Sequence, residues 1–287
     1  MYVMGIVNVT PDSFSDGGKW SDTTLATSHA RDLAAQGAEI LDIGGESTRP
    51  GATALSGEEE WMRIGSVVED LASANLGALI SIDTYHADTA RRAIAAGAHI
   101  VNDVTGGHGD PDMFATVAQL GVDYILQHGR GNGETMNSLA VYHKHVALEV
   151  RDEILRSRDE AVAAGIDPEK IILDPGLGFA KTGVQDWDAL AGVEDLMKEG
   201  HRVLVGASRK RFLAEYAPAG TPATERDLAT AVLSVLLNDL GIWAVRVHDV
   251  LGSVNALRVR ESWAQAQERY RVALAGAGNF GAGDEQL

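Results

Sequence analysis

The sequence predicts a single-domain α/β protein folded as a closed (β/α)8 barrel, the TIM-barrel architecture. Short Val/Ile-rich runs recur along the chain, and each is followed by a segment with helical periodicity. The runs are apolar nearly throughout, as in strands buried on both faces of a parallel sheet. Eight strand–helix units with right-handed crossovers suit a barrel, which typically has ~250 residues. The eight runs cover residues 2–7, 39–43, 79–82, 98–102, 122–126, 170–173, 202–205 and 243–247.

An open, doubly wound sheet is the main alternative to the barrel. Such a sheet usually has fewer strands and a glycine-rich first turn, whereas the first turn here reads NVTPDSFSDGG and lacks the G-x-G-x-x-G spacing. We therefore assign residues 1–274 to one barrel domain. The Gly/Ala-rich end, residues 275–287, is expected to form a disordered tail.

Helix boundaries can be placed after several of the predicted strands. Ser56 and Glu59 have the spacing of a capping box at the start of the second helix. Further along, Asp110 is a candidate N-cap, Pro111 would occupy the first helical position, and Gly121 would end that helix. Two longer amphipathic helices are expected, over residues 142–164 and 224–240.

The composition argues against several classes of function. The formal net charge of −17 disfavours general binding to nucleic acids or anionic membranes, although one basic pocket could still hold a small anion. The chain has no cysteine, which rules out disulfides, thiolate catalysis and zinc–cysteine sites. The first residues enter an apolar strand without the features of a signal peptide, and no apolar run is long enough to span a membrane. We therefore expect a soluble, cytoplasmic protein.

Polar residues follow every predicted strand, at the end of the barrel where active sites form. Any one of them could instead cap a helix, but eight polar strand ends together favour a polar pocket. Since side chains alternate along a strand, Asn102 and Asp103 are expected to point in opposite directions, one toward the cavity and one toward the helices. The strand ends supply Asn8, Asp12, Asp16, Asp42, Asp83, Asn102, Asp103, Gln127, His128, Asp174, the segment GASRKR, Arg246, His248 and Asp249.

The basic segment VGASRKRF follows the seventh predicted strand in an otherwise acidic chain. The loops after strands 7 and 8 of many barrels hold a phosphate group, and Arg246 and His248 would add donors on the same side. A solvated surface run is the alternative interpretation of three adjacent cations. Only one or two of the three can face the pocket.

Two carboxylates are candidates for binding a heterocycle. Asp174, in the buried sequence ILDPG, could accept two N–H donors from a guanidine-like edge, and Asp83 could bind another edge. Carboxylates scattered over several strands do not by themselves specify a metal cage. Asn8 near a phosphate site would better suit a Mg²⁺ ion that keeps most of its water and substrate ligands.

Seven motifs of this sequence resemble those of the dihydropteroate synthases, in order and approximate spacing, over residues 3–255. They are MGIVNVTPDSFSDGG, DIGGESTRPGA, SIDT, VNDVTGG, ILDPGLGFAKT, VGASRKRF and RVHDV. The sequence as a whole looks actinobacterial. The resemblance implies a (β/α)8 barrel that forms a homodimer, uses Mg²⁺ and acts in folate biosynthesis. The implied reaction condenses 4-aminobenzoate with (7,8-dihydropterin-6-yl)methyl diphosphate and releases 7,8-dihydropteroate and diphosphate.

The resemblance also implies roles for individual residues. Asn8 would contact the metal and the diphosphate. Arg246 and His248 would bind the diphosphate, and Arg246 would also stack on the pterin. Lys210 would contact the pterin and lie beside 4-aminobenzoate. The residues expected to bind the pterin are Asp83, Asn102, Asp174, Lys210 and Arg246, and those expected to be catalytic are Lys210, Arg246, His248 and Asp174.

Other features of the family fall on the loops. Arg209 and Arg211 would serve the loop or solvent rather than the substrates. The first and second loops, residues 9–20 and 44–55, are expected to be mobile and to close over the site. Contacts with 4-aminobenzoate are expected from Thr48, Pro50, Phe179 and Ser208.

The implied chemistry needs no strong base. It breaks a C–O bond at a methylene group on an electron-rich ring, so the main requirement is to neutralise the leaving diphosphate, which the metal, Arg246 and His248 would do. An arylamine is already a competent nucleophile, and the sequence shows no Ser/His/Asp-like arrangement. Proximity and the exclusion of water by the loops would supply much of the rest.

Three other functions stay open at this point. A catalytically silent protein would bind the pterin without forming product, but it would not need Asn8 or the diphosphate residues. A pterin-binding methyl-transfer partner of the same barrel type would not need the cationic loops. A Schiff-base aldolase would use Lys210, although this lysine lies beyond a strand end. The fifth strand end, LQHGRG, and the loop GNGETMNSLAVY are atypical of the family, so Gln127 and Gly129 leave the packing of that edge open.

Overall fold

A computed structural model of the protein describes residues 1–10, 19–46, 54–131 and 135–278. Their eight strands form a closed parallel barrel, as the sequence predicts, and the predicted strand bounds agree to within two residues. The strands are β1 Tyr2–Asn8, β2 Ile40–Gly44, β3 Leu79–Asp83, β4 Ile100–Asp103, β5 Asp123–Gln127, β6 Ile171–Asp174, β7 Arg202–Val205 and β8 Ala244–Val247. The helices are α1 Lys19–Gln36, α2 Gly57–Ala74, α3 Ala87–Ala95, α4 Met113–Leu120, α5 Val146–Ala163, α6 Val184–Ala191, α7 Val193–Lys198, α8 Asp227–Leu240 and α9 Val250–Gly278.

The inside of the barrel has an apolar level and a polar level. Because side chains alternate along a strand, residues two positions apart face the same side. Ile40, Ile100 and Ile172 belong to the apolar level, and Asp42, Asn102 and Asp174 follow them by two positions toward the carboxyl ends. The complete apolar level consists of Met4, Ile40, Ile100, Ile125, Ile172, Leu204 and Ala244. It closes the barrel below the polar residues, while a larger apolar cluster fills the layer between strands and helices.

The start of α2 shows the predicted capping box. The hydroxyl of Ser56 accepts a hydrogen bond from the backbone N–H of Glu59, and the Glu59 carboxylate accepts one from the backbone N–H of Ser56. Two backbone donors at the helix start are thereby satisfied.

The predicted start of α4 is wrong. The helix begins at Met113, and Asp112 rather than Asp110 occupies the N-cap position. The carboxylate of Asp110 instead accepts hydrogen bonds from the backbone N–H groups of Asp112 and Ala87, each at 2.9 Å. It therefore ties this loop to the beginning of α3. Gly121 ends α4 as predicted, in the left-handed region at φ 61°.

The two longer helices begin later than predicted. Residues His143 and Lys144 stay outside α5, and their backbone N–H groups both donate to the carboxylate of Glu149. A 3₁₀ turn, Ala223–Arg226, precedes α8. At the other end of the chain, α9 runs to Gly278, past the predicted domain boundary at residue 274. The rest of the predicted tail, residues 279–287, lies outside the described residues.

Candidate active site

Three charged side chains from three strand ends meet in the space beside Gly206, which follows β7. A Cβ atom placed on Gly206 would lie 3.8 Å from Asp174 Oδ2, 3.9 Å from Lys210 Nζ and 3.8 Å from the Cβ of Arg246. These are ordinary van der Waals distances. The glycine therefore leaves room for about one carbon atom between the Asp174 carboxylate, the Lys210 ammonium and the Cβ of Arg246, above the apolar level of the barrel.

Arg246, from β8, is held by two carboxylates. Its Nε donates to Asp42 Oδ2 at 2.6 Å, and its Nη2 donates to Asp83 Oδ2 at 2.7 Å. Asn102 Nδ2 donates to the same oxygen of Asp42 at 3.0 Å. Burial by itself would lower the pKa of Arg246, but Asp42 and Asp83 outweigh it and raise the pKa, so the guanidinium stays charged.

Asp83 and Asp174 are buried, which disfavours their charged forms. Burial raises the pKa of Asp83 to about 7, although the charge of Arg246 opposes the shift. Burial likewise raises the pKa of Asp174, and the charge of Lys210 opposes it. Asp174 Oδ1 also accepts a hydrogen bond of 2.7 Å from the backbone N–H of Gly176. A ligand with N–H donors would stabilise the ionised form of either carboxylate.

Lys210 points into this space. Its Nζ donates to the backbone carbonyl of Leu177 and lies 4.9 Å from the centre of the Phe179 ring, within the range of a cation–π contact. Burial lowers the pKa of Lys210 to about 8, while the nearby Asp174 opposes the shift. The lysine, the aromatic ring and the carboxylate thus form one wall of the site.

The other two cations of the basic triplet turn away. Arg209 adopts a left-handed backbone conformation with φ 60° and forms two hydrogen bonds of 2.8 Å with the carboxylate of Asp227. Arg211 Nη2 donates to Asn137 Oδ1 at 3.2 Å. Of the triplet, therefore, only Lys210 reaches the space beside Gly206.

Ser208 fixes the orientation of His248. The Ser208 hydroxyl accepts a 3.1 Å hydrogen bond from the backbone N–H of His248 and lies 3.0 Å from the ring Nδ1. The Ser208 hydroxyl therefore contacts both the backbone and the ring of His248. Asn8 ends β1 at the same face of the barrel and is partly exposed. Asn8 pairs in register with Gly44 of β2.

The end of β4 shows the alternation that the sequence suggests. Asn102 points inward to Asp42. Asp103 points outward, where its carboxylate accepts hydrogen bonds from the Tyr124 hydroxyl at 2.8 Å and from backbone N–H groups of the following loop. At the atypical fifth strand end, Gln127 Nε2 donates to the carbonyl of Val104 at 3.2 Å. This edge of the pocket is therefore packed against the loop after β4.

Several predicted residues fall outside the described part of the chain. They are Asp12, Asp16, Thr48 and Pro50. Most of the two loops expected to be mobile falls there as well.

Sequence reasoning missed some residues that organise the site. Asp42 was one strand-end residue among many, and nothing in its motif shows that it binds Arg246 across the barrel. Lys181 and Glu153 were not singled out, and His128 was noted only as a strand end, yet these three form a hydrogen-bonded chain behind the site. A lysine in the apolar sequence LGFAK was the one available signal.

Comparison with known proteins identifies the family. The family model described as "Pterin binding enzyme" matches residues 4–248. The chain is 47% identical to the dihydropteroate synthase of Mycobacterium leprae over 268 residues, which cover 92% of this chain and 94% of that protein. The chain belongs to the dihydropteroate synthase family.

Solved structures of the same family share this fold. One is the enzyme of Clostridium difficile, crystallised in the presence of pteroic acid; it is 36% identical, with a TM-score of 0.84 over 91% of this chain and 96% of that chain. Another is the enzyme of Xanthomonas albilineans with 4-aminobenzoic acid, which is 39% identical, with a TM-score of 0.84 over 93% of each chain. The family, the barrel fold and the transferase activity in folate biosynthesis, all expected from the sequence, are confirmed.

Proposed function

We propose that this chain joins 4-aminobenzoate to (7,8-dihydropterin-6-yl)methyl diphosphate in the space beside Gly206, forming 7,8-dihydropteroate and diphosphate. The observation that carries the proposal is the convergence of Asp174 Oδ2, Lys210 Nζ and the Cβ of Arg246 within 4 Å of one point. A buried carboxylate between two cations suits a ligand that has N–H donors on one side and negative charge on the other.

Recognition of the pterin would involve an exchange of partners at Asp83. In the structure, Oδ2 of this carboxylate accepts from Arg246 Nη2. A pterin N–H would take over that role, and Arg246 would stay attached through Asp42 while its guanidinium turns toward the ring. Asn102 and Asp174 complete the set of polar groups at the pocket floor.

Two buried polar atoms on neighbouring strands support a ligand or water position in this pocket. Asp42 Oδ1 and Ser81 Oγ have no hydrogen-bond partner among the described residues. Asp42 and Ser81 are paired in register on β2 and β3, and both belong to the inner face. Buried polar atoms without partners are costly, so the arrangement favours an occupant that bonds to them.

The reaction then follows from charge and proximity. The C–O bond of the pterin methylene breaks, and its electron pair leaves with the diphosphate. The lone pair of the arylamine forms the new C–N bond, after which the amine loses one proton. Arg246 and His248 would stabilise the leaving charge, and Lys210 with Phe179 would position the 4-aminobenzoate ring.

A bound Mg²⁺ would neutralise part of the diphosphate charge. Among the described residues, no group of three His, Cys, Asp or Glu side chains is arranged to hold a metal ion. The family resemblance assigns Asn8, at the end of β1, to the Mg²⁺ ion, and its amide oxygen is a hard ligand of the kind this ion prefers. These residues fit an ion held mainly by substrate oxygens and water, which is how Mg²⁺ commonly binds next to phosphates.

The chain is also proposed to form a homodimer through α8. Exposed leucine and valine side chains recur every four residues along this helix and are between 42% and 78% exposed. They are Leu228, Val232, Leu236 and Leu240. A continuous apolar stripe of this kind is typical of a surface that a second copy covers.

The Leu236→Glu variant should be monomeric in light scattering. The control variant, Val184→Glu at an exposed residue of α6, should remain a dimer. If both variants remained dimers, the proposal would be contradicted.

No helix of the described residues is long and apolar enough to cross a membrane. The cytoplasmic location expected from the sequence stays a prediction.

A diphosphate-release assay with both substrates and Mg²⁺ tests the proposed reaction. Wild-type protein should release diphosphate only when 4-aminobenzoate and the pterin diphosphate are both present, and the product should be 7,8-dihydropteroate. Binding of the pterin without turnover would instead identify a catalytically silent protein. No turnover under any of these conditions would reject the proposed function.

A further inference from the structure

A fully buried lysine lies behind the loop after β6. Lys181 is 1% exposed, and its Nζ lies 2.9 Å from His128 Nδ1, 3.0 Å from the carbonyl of Gly176 and 3.1 Å from the carbonyl of Phe179. An ammonium group has three hydrogens to donate, and here it has three acceptors. Burial lowers the pKa of Lys181 to about 7, and in its charged form the ammonium is satisfied entirely by the protein.

His128 links this lysine to α5. Because Nδ1 accepts from Lys181, the ring proton lies on Nε2, which donates to Glu153 Oε2 at 2.9 Å. Burial and the charge of Lys181 lower the pKa of His128 to about 4, so the ring is neutral and can accept. Glu153 is fixed in turn by Arg130, whose Nε donates to the same oxygen at 2.9 Å.

The Glu153 end of the hydrogen-bonded series Lys181–His128–Glu153 is open to solvent. A cavity of about 200 Å³ borders both His128 and Glu153, and it is lined as well by His108, Ser157 and Glu160. The side chain of Glu153 is 27% exposed, whereas that of His128 is 2% exposed. Glu153 therefore keeps its charge at the surface, while the His128–Lys181 contact is buried.

The loop held by Lys181 has an unfavourable backbone conformation. Gly176, Gly178 and Ala180 all lie in the left-handed region, with φ of 64°, 76° and 50°. For a residue with a side chain, such as Ala180, that conformation costs ~1–2 kcal/mol. Such conformations persist where the surroundings enforce them. Lys181 provides that restraint through carbonyls at both ends of the turn.

The same loop is held from the front by the other lysine. Lys210 donates to the carbonyl of Leu177, between the two carbonyls that Lys181 binds, and lies against the ring of Phe179. The position of Phe179 relative to Lys210 thus depends on Lys181 behind it.

We propose that Lys181, oriented by His128 and Glu153, is a positioning residue that fixes the turn 176–179 and so shapes the 4-aminobenzoate side of the site. This inference rests on the proposed function. Lys181 does not touch the space beside Gly206, so its effect is exerted through Phe179 and the carbonyls of the turn. Binding of the pterin, which depends on Asp83, Asn102 and Asp174, is expected to change much less.

Replacing Lys181 by methionine tests this inference. Lys181→Met keeps an unbranched side chain that is one heavy atom shorter, but removes all three hydrogen bonds. The KM for 4-aminobenzoate should rise by at least about tenfold, the effect of losing charge-assisted hydrogen bonds, while the KM for the pterin diphosphate changes by less than about threefold. Lys198→Met, at an exposed lysine of α7, is the matched control and should change neither value.

The absence of cysteine from the chain allows a chemical rescue. Lys181→Cys can be alkylated in denaturant with 2-bromoethylamine, which restores an ammonium at nearly the original position, and then refolded. The alkylated protein should regain a low KM for 4-aminobenzoate, whereas the unmodified variant should not. A role limited to filling space would not respond to the restored charge.

Glu153→Gln provides a second route if the Lys181 variants do not fold. It leaves Lys181 in place but weakens its support, so the KM for 4-aminobenzoate alone should rise, by less than in Lys181→Met. Equal changes in both KM values, or no change in either, would overturn the inference. An inactive wild-type enzyme would instead reject the proposed function, so the two failures are distinguishable.

Discussion

The turn after β6 has two sides that use similar residues for different purposes. On the inner side, Asp174 and Lys210 converge beside Gly206, and burial shifts both of their pKa values toward the neutral forms. On the outer side, Lys181 and His128 are fully buried and burial shifts their pKa values in the same direction, but the hydrogen bonds of the protein satisfy both. Burial of a charged or polar residue therefore does not by itself mark a substrate-binding group. The groups next to unfilled space are the ones available to a substrate.

The largest effect is expected from removing the inner carboxylate. Asp174→Ala should lower kcat/KM by ~10²–10³, which corresponds to ~2.7–4 kcal/mol for one preorganised contact. Burial already disfavours the ionised form of Asp174, so Tm should stay the same or rise. Steady-state kinetics and a thermal melt check both. Activity within a few-fold of wild type would show that the inner side is not the substrate side.

The next effect concerns the outer side and appears in stability rather than activity. The pKa of His128 is about 4 in the folded protein, below the ordinary value of 6.5, so the unfolded chain binds more protons between these values. Stability should therefore fall as pH drops from about 6.5 to about 4, by up to about 3 kcal/mol at ~1.4 kcal/mol per pKa unit.

Urea unfolding of His128→Gln across this pH range checks the prediction. Glutamine can still accept from Lys181 and donate to Glu153, but it cannot be protonated, so its curve should be flatter than that of wild type. His143→Gln, at an exposed histidine, serves as the control and should follow wild type. Parallel curves for wild type and His128→Gln would contradict the assignment of this pH dependence to His128.

A smaller effect is expected from filling the inner space. Gly206→Ala places a methyl group at ordinary contact distances from its neighbours, so the free protein should fold with nearly unchanged stability. The methyl group would occupy space needed by the pterin, and overpacking of this kind typically costs ~1–3 kcal/mol. Calorimetric titration with the pterin diphosphate should show weaker binding. Unchanged affinity would place the pterin elsewhere.

The smallest effect is expected at Arg211, a cation of the basic triplet that lies on neither side of the turn after β6. The Arg211 side chain is exposed, and its Nη2 donates to Asn137 Oδ1. Arg211→Gln should change stability by no more than ~0.5 kcal/mol and leave both KM values unchanged. A large rise in either KM would mean that the basic triplet acts as a unit, rather than through Lys210 alone.

Much of the scaffold could be predicted from local patterns. The apolar runs gave the number and order of strands, because strands buried on both faces need continuous Val/Ile-rich sequence. The capping box at Ser56 was predictable for the same kind of reason, since its two hydrogen bonds lie within one turn of chain. The N-cap of α4 was not, because Asp110 has a competing partner, the backbone of Ala87, that only the folded loop provides.

The sequence by itself determined which chemical groups stand at the ends of the strands. It could not decide which of them meet. Arg246 contacts Asp42 and Asp83, which precede it by 204 and 163 residues, because closure of the barrel brings β8 beside β1 and near β2 and β3. Lys181 likewise has acceptors from two separate loops. Local periodicity indicates which residues of one helix or strand are buried and which way their side chains point. Contacts between elements depend on how the whole barrel closes.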